Sequence, residues 1–140
     1  MKIRAIFTAL VLIISNNAIA ATAAKKQLDL NKAVDIVSKT VKMWPSMKRI
    51  ETRSDNSSYS VTLYYDANVP VQADTYVFAT EFVRYLVSLG RDPSDEANKR
   101  SVHVCAMQDG LTTVTGKPGV IILGCSHYNP YKDVVTWDGA

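Results

Sequence analysis

The feature that most limits how this chain can fold is a pair of mirror-image triplets, His103-Val104-Cys105 and Cys125-Ser126-His127. In an antiparallel hairpin, opposed residues have numbers with a constant sum, and residues two apart share a face. Cys105 with Cys125 gives 230, and so does His103 with His127. One register therefore sets both pairs opposite each other on one side of two strands. It spans residues 101–108 and 119–127, with a turn near 113–117 that contains Gly116.

What those four side chains do depends on the compartment, and the first residues address that. Lys2 and Arg4 are followed by an apolar run at 5–14, broken only by Thr8, and by Ala18-Ile19-Ala20 just before Ala21. This is the layout of a cleavable secretory signal. The run is too short for a bilayer core, which takes about 20 apolar residues. No cysteine follows the cleavage site to carry a lipid. The expected organisation is a signal peptide at 1–20, a flexible lead-in at 21–27 and a single globular domain at 28–140, periplasmic or secreted, with no stable membrane span after cleavage.

In such a compartment two cysteines pair by default. A Cys105–Cys125 bridge closes a loop of about 20 residues and should contribute roughly 3 kcal/mol on the chain-entropy estimate. The competing use is a metal site formed by His103, Cys105, Cys125 and His127, with zinc or copper by ligand type. Four ligands on a nearly flat strand face converge poorly on a tetrahedron, and free thiols oxidise outside the cytosol. The disulfide is the expected use, with no metal and no other cofactor.

Periodicity supplies the remaining elements. Leu30, Ala33, Val34, Val37, Val41 and Trp44 recur at helical spacing and predict a helix over 30–44, capped by Asp29 and ended by Pro45. Residues 47–53 and 59–66 flank the turn formers Ser54-Asp55-Asn56-Ser57-Ser58 and predict a hairpin. A second helix is predicted over 74–89, closed by Gly90. Its apolar side is wider than the stripe of about 100° that rests on one sheet, so it should touch something more, either the first helix or a partner. Residues 134–137 form a last short strand. Helices and hairpins in the order αββαββ(β) predict an α+β, two-layer sandwich, with both helices on one face of a mainly antiparallel sheet of four to five strands.

Catalytic and nucleic-acid signatures are missing. Gly110 to Lys117 imitates a phosphate-binding loop, but five residues separate Gly110 from Gly116 and Pro118 follows Lys117. The carboxylates are dispersed, and neither histidine lies in a nucleophile signature. The chain carries 16 Lys+Arg against 13 Asp+Glu, and loss of Lys2 and Arg4 with the signal leaves 14 against 13, a net charge of +1. Its cations form no stripe, which argues against nucleic acid. The expectation is a small exported, non-catalytic binding or assembly module that contacts another envelope or secreted protein. An accessory part of an envelope or secretion apparatus and an inhibitor or immunity protein are candidate settings. Tyr64, on the polar face of its strand, and Tyr128 and Tyr131, in a loop predicted over 126–133 by Asn129-Pro130, are the candidate partner-binding residues. A small enzyme or metal-handling protein built on the His-Cys strand pair is the alternative. No family signature is recognised in these residues.

Overall fold

The computed structural model describes residues 27–139. The expected signal peptide and all but the last residue of the lead-in lie outside the described residues. The elements run α1 (Leu30–Ser38), β1 (Met47–Ser54), β2 (Ser58–Tyr65), α2 (Gln72–Ser88), β3 (Ser101–Thr112), β4 (Pro118–Asn129) and β5 (Val134–Gly139). The five strands form one sheet in chain order, β1-β2-β3-β4-β5. Three neighbouring pairs are antiparallel, and β2 and β3 are parallel. A parallel pair cannot be joined by a tight hairpin and needs a crossover; the 17 residues of α2 provide it. The α+β architecture expected from the sequence is the one observed, with a fifth strand and one parallel pair.

Strand alternation sends Tyr59, Val61, Leu63 and Tyr65 from β2, and Val102, Val104 and Ala106 from β3, toward the helices. Phe78, Ala79, Phe82 and Leu86 of α2 and Ala33, Val34 and Val37 of α1 close the core over them. The Tyr59 and Phe82 rings meet edge to face at 5.8 Å. Two polar contacts are buried in this layer. Thr75 and Ser126 hydroxyls pair at 2.9 Å, and Asp74 Oδ2 accepts the Tyr65 hydroxyl at 2.7 Å and the Trp44 amide at 2.9 Å. Burial, reinforced by Asp74, pushes the Tyr65 hydroxyl pKa up.

The first helix is shorter than its apolar pattern. It stops at Ser38, and residues 39–44 turn away from its axis. Ser38 and Thr40 hydroxyls bond back to the Asp35 and Val37 carbonyls, a local alternative to helix continuation. The Trp44 amide is held by Asp74, 30 residues away, so tertiary structure satisfies the group the helix would have used. The second helix ends as expected. Gly90, at φ 67, lets Arg91 N–H turn back to the Leu86 carbonyl at 2.9 Å. In the β1–β2 turn, the Asp55 carboxylate accepts the amides and hydroxyls of Ser57 and Ser58, which hold its pKa down at about 2.

Among the described residues no helix is long and apolar enough to cross a membrane.

Candidate functional site

With both helices on one side, the other side of the sheet is open among the described residues, and the His and Cys side chains of the mirror-image triplets lie there, while Val104 and Ser126 face the helices. Cys105 is paired with Cys125 and His103 with His127, the register with sum 230. The cysteines are joined in a disulfide with Cα atoms 4.1 Å apart, the close spacing of a non-hydrogen-bonded strand pair. Both thiols are thereby used, so neither cysteine can act as a thiolate ligand.

Next to the bridge the two imidazoles meet, with Nδ1 atoms 2.6 Å apart and ring planes at 69°. His103 Nε2 lies 2.9 Å from Ser101 Oγ, and His127 Nε2 lies 3.2 Å from Asp138 Oδ2. A polar line thus crosses three strands, Ser101–His103–His127–Asp138. Burial lowers the His103 pKa first, the neighbouring His127 charge lowers it further, and Asp55 opposes both. Ser101, His103 and His127 border a cleft of about 430 Å³ that is also lined by Lys99, Arg100, Tyr131 and Thr136. Ser101 was legible as a same-face residue two positions before His103. Asp138 was not, because it belongs to β5, whose register depends on the turn after Asn129.

The three candidate tyrosines are scattered. Tyr64 lies on the open face, under the Arg49 guanidinium at 3.4 Å, with its hydroxyl on Glu51 at 3.0 Å. Tyr131 is 79% exposed in the turn after β4, and Lys99 Nζ sits 4.2 Å from its ring centre. Tyr128 was expected on a loop surface, but β4 runs on to Asn129 and alternation turns Tyr128 toward the helices, where it is 3% exposed. Its hydroxyl bonds to Asp133 at 3.0 Å, so it braces the turn and offers little surface to a partner.

A second surface was missed by the sequence reading. β3 and β4 outrun their neighbours: β2 stops opposite Gln108 and β5 stops opposite Gly124. Among the described residues, 109–120 therefore project as a two-stranded arm, and at its base Ile121 and Ile122, opposite Gln108 and Met107, have no further strand on their outer edge. Its turn is closed by Thr113 N–H to the Lys117 carbonyl and Gly116 N–H to the Thr113 carbonyl, both at 2.8 Å. Val120, Ile121 and Ile122 are 52, 46 and 56% exposed, and Val114 at the tip is wholly exposed. The wide apolar side of α2 has two fates. Tyr85 lines a groove shared with α1 residues Ile36 and Val37, whereas Tyr76 and Val87 remain exposed.

A larger cleft of about 500 Å³ lies between the β1–β2 turn and the loop after α2. Asp55 and Glu96 face Lys99 and Arg100 around it, a mixture that selects no charge of ligand. Among the described residues no group of three or more His, Cys, Asp or Glu side chains is placed to hold a metal. The chain matches no family model, and comparison with curated proteins and with solved structures finds no match.

Proposed function

We propose that this chain is an exported, non-catalytic binding module that joins a partner protein of the periplasm or the extracellular space through the β3–β4 arm. The observation that carries the reading is the run Val120-Ile121-Ile122, exposed on a strand whose outer edge is unpaired there among the described residues. An exposed apolar edge is an aggregation liability that soluble proteins ordinarily blunt with charge, proline or a cover. On the arm only Asp109 and Lys117 are charged, and they lie at its base and turn. An edge of this kind suits a partner that adds its own strand, with main-chain hydrogen bonds for affinity and alternate side chains for specificity. The exposed flank of α2 at Tyr76 and Val87 is a second apolar surface.

Export is supported by residues 1–20 and by the disulfide, which persists in oxidising compartments. An accessory role in an envelope or secretion apparatus and a role as an inhibitor or immunity protein both fit this reading.

The test is co-purification of the mature protein from its own envelope, beside an Ile121→Lys variant. A discrete partner is expected with the wild type and lost with the variant, at unchanged melting temperature. A partner retained by Ile121→Lys would refute the arm as the contact.

A further inference from the structure

The histidine pair goes beyond that reading and does not depend on it. Each ring directs Nε2 toward an oxygen: the Asp138 carboxylate at 3.2 Å for His127, and for His103 Ser101 Oγ at 2.9 Å, whose own hydroxyl proton faces the Ser57 carbonyl at 3.4 Å. The Nδ1 atoms turn inward and converge at 2.6 Å. In the tautomer this pairing favours, with both rings neutral and each Nε2 carrying the proton, both Nδ1 atoms present lone pairs, and no hydrogen bond can join them. A cation between them can. Metal-ligating histidines have this arrangement, one nitrogen on the metal and the other N–H held by a carboxylate or another acceptor.

We propose that His103 and His127 form a two-histidine site for a copper(II) ion, bound through both Nδ1 atoms, with water from the adjoining cleft completing the coordination. Metal–imidazole bonds of about 2.0 Å put adjacent corners of a square plane ~2.8 Å apart and two corners of a tetrahedron ~3.3 Å apart. From 2.6 Å, the square plane needs the smaller outward shift. Nitrogen ligands also bind copper(II) more tightly than zinc in general. The neighbouring disulfide fixes the strand separation on this face, with Cα atoms at 4.1 Å, so the two rings are brought together before any metal arrives.

A serine nucleophile is the other use of the same line, and the geometry suits it less. A base histidine needs an anion behind it to stabilise the imidazolium that forms. Behind His103 stands a second imidazole, and Asp138 is one ring further away. The chain has two histidines in all, so any imidazole signal reports this pair.

The experiment is titration of untagged, disulfide-intact mature protein with copper(II) against a competing chelator, followed by electron paramagnetic resonance. One copper per chain with hyperfine splitting from two imidazole nitrogens is expected. His103→Ala and His127→Ala should each weaken binding at least tenfold, and Asp138→Asn about tenfold. The spectrum of the wild type counts the nitrogen ligands directly, so the answer does not require that any variant fold. Absence of copper binding at micromolar concentration, a spectrum without imidazole nitrogen, or unchanged affinity in His127→Ala would overturn the site. Tighter binding of zinc than of copper in the same titration would overturn the copper assignment.

Discussion

The indole of Trp137 occupies the space that a side chain at position 124 would need. A Cβ built on Gly124 falls 2.1 Å from Trp137 Cη2 and 2.4 Å from Cζ2, and Gly124 has φ 145, a conformation that other residues rarely adopt. The contact marks a boundary. Gly124 is opposite Gly139, where β5 ends, and the β3–β4 register shifts by one between Ala106 and Met107, directly across from it. On one side of this point the sheet is five strands wide; on the other β5 is gone, and beyond Gln108, where β2 also stops, β3 and β4 continue as a pair among the described residues.

Gly124→Ala should therefore destabilise the protein by about 1–3 kcal/mol, the range for overpacking a filled site. Chemical denaturation of the single and double variants separates the two causes. If the clash dominates, Gly124→Ala costs less in a Trp137→Ala background, and if the backbone dominates, the two costs add.

The disulfide makes a prediction of its own. Thiol titration of denatured, unreduced protein should find no free cysteine, and the Cys105→Ser/Cys125→Ser double variant should lose about 2–5 kcal/mol of stability. Two reactive thiols in the native protein would contradict the pairing.

Much of this strand pair was legible because the mirror-image triplets admit one register that pairs like with like. Element order was legible for a similar reason, since Gly90 and the Asp55 turn act within a few residues of themselves. The end of α1 was not: Val41 and Trp44 keep helical spacing, but the Trp44 amide goes to Asp74, a contact set by the whole fold. Tyr128 was misplaced because the Asn129-Pro130 pair suggested a loop one strand-end too early. The arm was invisible for a different reason. Its length can be guessed from β3 and β4, but its isolation depends on where β2 and β5 stop.

Alkaline titration tests the placement of Tyr128. Burial, then its hydrogen bond to Asp133, push its pKa up to about 12, against about 10 in an unfolded chain. The folded state thus holds this proton more tightly, and the stabilisation is complete below pH 10 and lost as pH rises through about 12. Denaturation curves between pH 9 and 12 should show wild type losing stability relative to Tyr128→Phe. Parallel pH profiles for the two proteins would mean that Tyr128 is solvated.

The central claim is that the β3–β4 arm is the surface by which this chain meets another protein. A photo-crosslinking amino acid placed at Ile121, with a control at Asp35 on the exposed side of α1, reports contact in the native host without purification. Neither substitution touches the core, so each should change stability by less than about 0.5 kcal/mol. The account predicts a discrete adduct to a different protein from position 121 and none from position 35. Irradiation that yields no adduct at 121, or the same adduct from both positions, would contradict it.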